Sequence, residues 1–469
     1  MIRWGISAYN HNAALTVVDG DEILFASESE RYSGIKNDAN LPDELIQAAL
    51  EFGEPEDINW YENNKLKNLR RLYAGQKLKR LPLHTYLKKR KINFHTHHTT
   101  HAAAGFYTSP YPNATVLVID AIGEFTTTSI WDGVPEHGLH KMWSQRYPTS
   151  LGLFYSAITH RCHLKPNEEE YILMGMAAYG DPHRYYKPMR ELLDTNLHKG
   201  CNDFLPHVKD YYDFAASAQK IYEEEFEKLV IKAKLMLPHN ENLVIMGGCA
   251  LNCVANNLAL KHYDNIWIMP APGDSGSSLG AVLASTQEHI NWRGPYLGHN
   301  IEGEYPVQEA LGELLQGNMV GVANGRAEFG PRALGNRSLF ADPRGEDIKD
   351  KVNAIKRRQE FRPFAPVIME EYAGTCFNMP VSDSPYMQYV IQCTKKDLYP
   401  AILHADGTSR VQTVNKEQHP GLYKLLKTFY IKTGCPMLLN TSLNIKGRPM
   451  VNTKEDGTIF EELYNVKVV

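Results

Sequence analysis

Short apolar segments that lead into turns of glycine or other small residues recur near residues 5, 117, 245 and 268, and each lies next to a predicted helix. A short apolar run between turn residues and a helical pattern is typical of a strand buried in an α/β sheet. The pattern therefore predicts an α/β fold whose core consists of repeated units. No short-period sequence repeat accompanies these segments, and two structurally similar halves do not require one.

A domain boundary is predicted near residues 288–303. This segment is polar, lacks periodicity and is punctuated by glycine and proline. The parts on either side, residues 1–290 and 300–469, are each long enough to bury a core of their own. We therefore expect two domains with these bounds.

The clearest candidate site begins with a pair of histidines, His97 and His101, in the predicted helix HHTTHAAA. Residues four apart share a helix face, so both imidazoles can reach one cation. Two aspartates next to apolar runs, Asp120 in ATVLVID and Asp274 in PAPGDSG, lie where α/β proteins place ligands. Two imidazoles and two carboxylates suit Fe(II), Mn(II) or Zn(II). The alternative is a chance pair, since the chain has 19 histidines.

A basic stretch runs from Lys65 to Arg90, with interleaved leucines and tyrosines. Such runs are most often solvated helix faces, and the alternative is contact with an anionic acceptor or a partner. The whole chain has a net charge of −4. Stable binding to a nucleic acid, which depends on neutralising phosphates, is therefore not expected.

Arginines also cluster in the predicted C-terminal domain. The segment GRAEFGPRALGNRSLFADPR presents Arg326, Arg332, Arg337 and Arg344 among glycines. This pattern favours bidentate capture of an anion, and the alternative is a set of structural surface arginines.

Further basic and polar candidates follow at Lys356, Arg362, Arg410, Ser442 and Asn444. The last two end an apolar strand before a glycine turn, a setting in which side chains and backbone N–H groups can surround phosphate oxygens. No GxxxxGK[ST] motif occurs, so any use of ATP would proceed without a Walker motif.

The sequence also bears on the compartment. No apolar run approaches the roughly 18 residues needed to span a bilayer. The seven cysteines are scattered and include no CxxC pair, which is typical of reduced thiols. We expect a protein of the cytoplasm, or of the host cytoplasm if a phage encodes it.

A series of motifs along nearly the whole chain resembles, in the same order, those of the O-carbamoyltransferase family of nodulation-factor, cephamycin and aminoglycoside biosynthesis. The motifs are HNAALTVVDG, HHTTHAAAGFYTSP, VIDAIGE, SLGLFYSAITH, MGGCALNCVANN, PAPGDSGSSLGAVLA, GRAEFGPRALGNRSLFADPR, FRPFAPVI, DGTSRVQTV and LLNTSLNIKGRPMV. Together they are highly specific.

The resemblance implies that residues 1–290 form a duplicated α/β domain of the actin/hexokinase superfamily, with a metal site for carbamoyl transfer. It implies that residues 300–469 form an α/β domain similar to threonylcarbamoyl-adenylate synthase. In the family, this C-terminal domain makes carbamoyl-adenylate from carbamoyl phosphate and ATP with Mg(II). The carbamoyl group then passes to the hydroxyl of a small acceptor. A homodimer is also expected by this resemblance.

The family's functional residues carry over to matching positions of this chain. His97, His101, Asp120 and Asp274 match the metal ligands, usually for Fe(II), although another divalent metal would suit the same shell. His11 matches the catalytic histidine, and imidazole is suited to taking a proton from a hydroxyl near neutral pH; a buried structural role is its alternative. The implied ligands of carbamoyl phosphate and ATP are Arg332, Lys356, Arg362, Arg410, Ser442 and Asn444.

Four positions depart from the usual family pattern. The chain has Asn12 where the family usually has Asp, Ala14 where it has Ser, Ala121 where it has Gly, and Ile172 where it has Lys. These departures bear on acceptor or nucleotide contacts near the first site and leave the metal ligands in place.

The acceptor is less constrained by sequence than the reaction. The short chain and the basic stretch, which could receive a monophosphate, favour a 5-hydroxymethyl-pyrimidine nucleotide such as 5-hydroxymethyl-dCMP. A sugar or antibiotic hydroxyl is the alternative. Two other classes stay open. One is a kinase of the same superfamily, against which the arginine-rich C-terminal half and the HxxxH pair argue. The other is a non-catalytic metal-binding scaffold, which would keep the metal without consuming ATP and carbamoyl phosphate.

Overall fold

The structure is a computed structural model that describes residues 1–135 and 137–469. It divides into two compact units. Unit 1 comprises Met1–Ser29 and Asn37–Trp292, and unit 2 comprises Arg293–Val469 together with Glu30–Lys36, which contains the short helix α1 (Glu30–Ser33). The division of labour expected between residues 1–290 and 300–469 stays a prediction.

Unit 1 contains two five-stranded sheets, and the first has the strand order β3-β2-β1-β4-β5. Its strands are β1 (Ile2–Ser7), β2 (Ala14–Asp19), β3 (Glu22–Glu28), β4 (Asp57–Trp60) and β5 (Asn93–Phe94). The first three pair as an antiparallel meander, and β4 and β5 add in parallel beyond β1.

The second sheet repeats this topology with the order β10-β9-β6-β7-β8. Its strands are β6 (Ala114–Ile119), β7 (Thr126–Val134), β8 (Gly138–Arg146), β9 (Asn242–Met246) and β10 (Asn265–Trp267). Again the first three pair antiparallel, and the last two add in parallel beyond the first. The shared order and directions define a duplicated α/β domain of the actin/hexokinase type, which confirms the predicted fold class.

The α-helices of unit 1 follow or connect these strands. They are α2 (Asp43–Leu50), α3 (Asn64–Tyr73), α4 (His97–Thr108), α5 (Leu151–Arg161), α6 (Glu170–Met176), α7 (Tyr186–Arg190), α8 (Tyr212–Met236), α9 (Asn256–Ala259) and α10 (Gly276–Thr286). Phe154 of α5 and Phe226 of α8 are fully buried with Leu117 and Ile245 of the second sheet. This apolar contact anchors the helical segment to the sheet.

Helices α4 and α10 approach each other closely. A Cβ on Gly280 of α10 would lie 1.9 Å from the backbone oxygen of Thr100 in α4. On its other side α4 packs on β9, where a Cβ on Gly105 would lie 2.4 Å from the side chain of Met246. Because neither glycine has a side chain, α4, the helix that begins at His97, can pack closely against both α10 and β9.

Unit 2 is also mixed α/β. Its largest sheet has the order β12-β14-β19-β15-β18, and β11-β13 and β16-β17 form two-stranded sheets. The strands are β11 (Tyr296–Ile301), β12 (Val320–Ala323), β13 (Gly325–Glu328), β14 (Arg337–Ala341), β15 (Ala365–Met369), β16 (Val390–Gln392), β17 (Thr408–Arg410), β18 (Gln412–Val414) and β19 (Met437–Ser442). The helices are α11 (Val307–Leu315), α12 (Ile348–Lys356), α13 (Glu370–Cys376), α14 (Pro420–Thr433) and α15 (Lys454–Tyr464).

Two local features position the site. Tyr9 and Asn12 adopt positive φ values of 67° and 51° in the connection that reverses the chain between β1 and β2. Asn93 and Phe94 pair in parallel with β4, and α4 then starts at His97. In the described ranges, no helix combines the length and apolarity needed to cross a bilayer.

We expect Gly280→Ala to destabilise the protein by at least about 1–3 kcal/mol, the usual cost of overpacking. The added methyl would meet backbone, which cannot rotate away as a side chain can. The measurement is the free energy of unfolding in a denaturant titration. Gly312→Ala in α11 is the matched control: no described atom lies within 4 Å of its new Cβ, and it should raise stability by about 0.5–1 kcal/mol. Equal effects of the two substitutions would refute the tight α4–α10 contact.

Candidate metal centre and anion site

Four side chains of unit 1 converge on one point. Nε2 of His97 lies 3.1 Å from Nε2 of His101 and 3.0 Å from Oδ2 of Asp120. Oδ1 of Asp274 lies 3.5 Å from both imidazole nitrogens. All four residues are buried, and one donor atom from each lies within 4.8 Å of the others. The four predicted metal-site residues are therefore brought together.

The helix that carries the histidines is held by Glu124. Its Oε1 accepts hydrogen bonds from the backbone N–H groups of Asn63 at 2.7 Å and of His97 at 3.1 Å. The N-cap residue of α4, Thr96, makes no side-chain capping bond, so the Glu124 carboxylate satisfies the helix N-terminus instead. Sequence reasoning missed this positioning role, although Glu124 follows Asp120 by four residues.

Asp120 occupies the carboxyl end of β6, next to the parallel strand β9. Its Oδ1 accepts a hydrogen bond of 3.2 Å from the backbone N–H of Gly248, which leaves Oδ2 for His97. The turn after β9 passes so close to β6 that a Cβ on Gly247 would lie 2.1 Å from the oxygen of Ile119, and Gly247 has a φ of 92°. Only glycine fits both constraints.

Asp274 uses its two oxygens for different partners. Oδ1 faces the two histidines, and Oδ2 lies 3.5 Å from Nε2 of His11. The His11 side chain is 39% exposed whereas that of Asp274 is 2% exposed. Asp274 therefore connects the buried cluster to an imidazole that solvent or a substrate can reach. His11 lies in the connection between β1 and β2.

The electrostatics of the cluster favour positive charge at its centre. Burial works to lower the pKa of His97, but the carboxylates of Asp274 and Asp120 outweigh it and raise this pKa to about 10. Burial likewise opposes ionisation of Asp120, yet its hydrogen bond to His97 and the neighbouring imidazoles hold its pKa well below the usual value. The pKa of the adjacent His98 is lowered by burial and by His97, and its Nδ1 contacts Ser129 instead.

This donor set fits a divalent cation. Two carboxylates that keep their charge in a buried site require a compensating positive charge, and a metal bound to both Nε2 atoms would supply it in place of imidazole protons. The mixed nitrogen and oxygen shell suits Fe(II), Mn(II) or Zn(II). Within the described residues, Nδ1 of His97 and Nδ1 of His101 make no hydrogen bond, so this ligand pair lacks the usual outer partners.

In unit 2, Lys356 joins two of the other predicted residues. Its Nζ donates to the backbone oxygen of Ser442 at 2.5 Å, to Ser442 Oγ at 3.0 Å and to Asn444 Oδ1 at 2.5 Å. These three bonds use all donors of the ammonium group. Lys356 therefore shapes the turn after β19 that presents the Ser442 hydroxyl and the Asn444 amide.

Several positive charges lie around Lys356. Burial lowers the pKa of Lys356 well below its usual value, and the charges of Arg358, Arg362 and Lys36 lower it further. Repulsion among these cations means that an anion bound among them would relieve an unfavourable state. Arg362 thus contributes positive charge near Lys356, and its role in binding phosphate stays a prediction.

Arg332 and Arg410 lie on neighbouring segments. The loop that contains Arg332 is held by Oε1 of Glu328, which accepts from the N–H groups of Leu334 at 2.8 Å and Asn336 at 2.9 Å. Arg410 ends β17, and its Nε is buried without a hydrogen-bond acceptor in the part of the chain that the structure describes. The Glu328 support was not recognised from sequence.

The other three arginines of the GRAEFGPRALGNRSLFADPR segment have structural roles, contrary to the expectation of anion capture. Arg337 is fully buried and donates to five backbone carbonyl oxygens. Arg344 forms an ion pair with Asp342 at 2.6 Å, and Arg326 donates to the Leu297 oxygen at 2.6 Å. Backbone carbonyls and a nearby carboxylate satisfy these guanidinium groups, which the sequence pattern alone does not reveal.

Comparison with known proteins agrees with this arrangement. Residues 54–283 match the family described as "Carbamoyltransferase N-terminus" and residues 312–468 match "Carbamoyltransferase C-terminus". The uncharacterized protein sll1178 of Synechocystis is 33% identical, with 96% of this chain and 92% of that protein covered.

Two further relatives have functional names. The nodulation protein NolNO of Sinorhizobium fredii is 31% identical over 96% of this chain and 76% of its own. The 3'-hydroxymethylcephem-O-carbamoyltransferase of Amycolatopsis lactamdurans is 28% identical over 96% of this chain and 95% of its own. The chain therefore belongs to the O-carbamoyltransferase family, as its motifs predicted, and it is an enzyme that transfers carbamoyl groups.

We expect His101→Ala to weaken metal binding by more than the roughly 10–100-fold that loss of an outer-shell partner costs, because a buried ligand nitrogen is removed. The measurement is the metal content of purified protein, together with titration of Fe(II), Mn(II) and Zn(II) into the metal-free protein. His98→Gln is the matched control in the same helix, since His98 is bonded to Ser129. Retention of full metal content by His101→Ala would contradict the assignment.

Proposed function

We propose that the protein uses ATP and carbamoyl phosphate to form carbamoyl-adenylate and then transfers the carbamoyl group to an acceptor hydroxyl. The observation that carries this proposal is the shared carboxylate of Asp274, which connects the donor cluster of His97 and His101 to His11. Neither a kinase nor a non-catalytic scaffold would require the accessible imidazole of His11 next to these buried ligands. Because ATP is a substrate, we propose that the reaction takes place in the cytoplasm.

In the transfer step, His11 acts as the general base. Its imidazole accepts the proton of the acceptor hydroxyl while the hydroxyl oxygen forms a bond to the carbamoyl carbon. The bond between that carbon and the phosphate oxygen breaks, and AMP leaves with the electron pair. Asp274 Oδ2 orients the imidazole and stabilises the imidazolium that results, as a buried carboxylate does in other His–Asp pairs.

A divalent metal, for which we propose Fe(II), would be held by His97, His101, Asp120 and Asp274. When bound, it would supply Lewis-acid stabilisation of developing negative charge. The chain's own contribution is a buried and fixed arrangement of these groups, so that little reorganisation is needed during reaction.

For the activation step we propose unit 2. The positive field around Lys356 and Arg362 supports binding of phosphate groups there, with Ser442 and Asn444 as polar ligands on the adjacent turn. Arg332 and Arg410 complete the proposed set as guanidinium groups for carbamoyl phosphate and ATP, with Mg(II) bound to ATP. Attack of water on carbamoyl phosphate would release inorganic phosphate and carbamate. A carbamate oxygen would then form a bond to the α-phosphorus of ATP, which gives carbamoyl-adenylate, while the bond to the bridging oxygen breaks and pyrophosphate leaves.

As acceptor we propose a 5-hydroxymethyl-pyrimidine nucleotide, such as 5-hydroxymethyl-dCMP. Two features support it. The name of the Amycolatopsis relative specifies a hydroxymethyl acceptor, and the basic stretch beginning at Lys65 lies in the same unit as His97, His101, Asp120 and Asp274. A sugar or antibiotic hydroxyl is the second candidate, favoured by the cephem name of that relative. The expected homodimer stays a prediction.

The two half-reactions should separate by mutation. We expect His11→Ala to retain release of pyrophosphate from ATP in the presence of carbamoyl phosphate, and to lower carbamoyl transfer by about 100- to 10,000-fold, the usual contribution of a general base. We expect Arg410→Ala to abolish pyrophosphate release. Mass spectrometry of the nucleotide and acceptor products measures both.

His140→Ala, an exposed histidine of β8, is the control and should behave like the wild type. Equal loss of pyrophosphate release in His11→Ala and Arg410→Ala would refute the division of labour. ADP as the nucleotide product would indicate a kinase, and no consumption of ATP would indicate a scaffold.

A further inference from the structure

Helix α3, within the basic stretch, packs with its charged face inward. Leu66, Leu69 and Leu72 are 38%, 55% and 55% exposed, whereas Lys67 and Arg70 are buried. This is the reverse of the usual amphipathic arrangement, in which apolar side chains face the core. The stretch is therefore not a solvated charged face at these two positions, and the buried charges require a physical explanation.

The two buried cations differ in their partners. Nζ of Lys67 is bound by both oxygens of Glu62, at 2.6 and 2.8 Å. Arg70 is 5% exposed, and its Nε and Nη1 are buried with no hydrogen-bond acceptor among the described residues. Nε of the following Arg71 is in the same situation. An unpaired buried guanidinium is unfavourable in a ligand-free protein, and such groups often mark binding sites.

Other polar groups adjoin this face of α3. Nε2 of His198 lies 2.9 Å from the side-chain amide of Gln76, and its Nδ1 is buried without a partner within the described ranges. Burial, followed by the charges of Arg70 and Lys199, lowers the pKa of His198. The ring of Tyr147 packs edge-on against it at 5.8 Å.

The carboxylates of Glu62 and Glu124 also act on Arg70. Glu62 is neutralised by Lys67, and Glu124 binds two backbone N–H groups. With Arg71 beside it, Arg70 therefore lies in a cluster that keeps a surplus of positive charge.

The cluster is tied to the metal centre through one carboxylate. Glu124 binds both the N–H of Asn63, the N-cap of α3, and the N–H of His97 at the start of α4. Arg70 is seven residues beyond Asn63, a rise of about 10 Å along the helix. A small acceptor could therefore place a hydroxyl at the metal centre and an anionic group at Arg70.

We propose that Arg70, with Arg71 and His198, forms a subsite for a phosphate monoester on the acceptor. This inference rests on the proposed carbamoyl transfer to a nucleotide and names the residues that would select it. The planar guanidinium of Arg70 can donate two parallel hydrogen bonds to phosphate oxygens, and the neighbouring donors complete the recognition. Sugars and antibiotics without an anionic group would leave Arg70 unpaired.

Binding to the intact protein tests the subsite without catalysis. Calorimetric titration should show that dCMP binds at least about 10- to 100-fold more tightly than deoxycytidine, the range expected for charge-assisted hydrogen bonds. Arg70→Gln should remove this difference, and Arg71→Gln should reduce it. Arg184→Gln is the matched control, because Arg184 is exposed and pairs with Asp213. Equal binding of dCMP and deoxycytidine by the wild type would overturn the proposal.

Two further readouts keep the test decisive. If Arg70 serves binding and not folding, Arg70→Gln should leave the ligand-free unfolding midpoint unchanged or raised, since an unpaired buried charge is removed; a marked decrease would assign Arg70 a structural role. Inorganic phosphate that binds in an Arg70-dependent way while dCMP does not would mean a site for free phosphate, which also overturns the proposal.

Turnover separates this inference from the proposed function. With 5-hydroxymethyl-dCMP as acceptor, Arg70→Gln should raise KM about 10- to 100-fold with little change in kcat, and it should leave pyrophosphate release unchanged. Turnover of 5-hydroxymethyl-deoxycytidine with the same KM as its monophosphate would overturn the phosphate subsite and leave carbamoyl transfer intact. Absence of carbamoyl transfer to any acceptor, with Arg70-dependent dCMP binding retained, would instead overturn the proposed function.

Discussion

The close contact between helices α4 and α10 is the constraint on which the metal centre depends. His97 and His101 lie on α4, and Asp274 directly precedes α10, so the spacing of these helices sets the distance from both imidazoles to the carboxylate. Gly280 permits that spacing, because a Cβ would lie 1.9 Å from the Thr100 oxygen. The two helices are in turn fixed on the ends of parallel strands, where the chain of an α/β sheet leaves room for ligands.

Sequence reasoning predicted that His97, His101, Asp120 and Asp274 lie together, because each carries a local signal. The histidines are four apart in a helical pattern, and the aspartates adjoin apolar runs. The supporting carboxylates carry no such signal: Glu124 and Glu328 bind backbone N–H groups of segments that follow no side-chain pattern. Their roles depend on three-dimensional proximity, which spacing along the chain does not encode.

The arginines of unit 2 show a second limit of sequence reasoning, since structural arginines were predicted to bind a ligand. Their glycine-rich setting was read as anion capture for all four, but Arg337 is surrounded by backbone carbonyls and Arg344 by a nearby carboxylate. A guanidinium that is satisfied by the fold and one that awaits a ligand look alike in sequence. The fold class was better predicted, since repeated strand, turn and helix patterns indicate an α/β core, although they do not give the strand order.

Unit 1 has two buried clusters of opposite charge, and Glu124 binds the backbone N–H at the start of the helix that leads to each. Around Asp120 and Asp274, two buried carboxylates need a compensating positive charge, which the His97 imidazolium supplies and a bound divalent cation would supply in its place. Around Arg70 and Arg71, positive charge is in excess, which favours a bound anion. Because buried charges are weakly screened, each cluster disfavours a ligand of its own sign. A neutral acceptor would satisfy neither cluster fully, whereas a hydroxyl compound with a phosphate group satisfies the second and leaves the first for the metal and the reacting carbamoyl group.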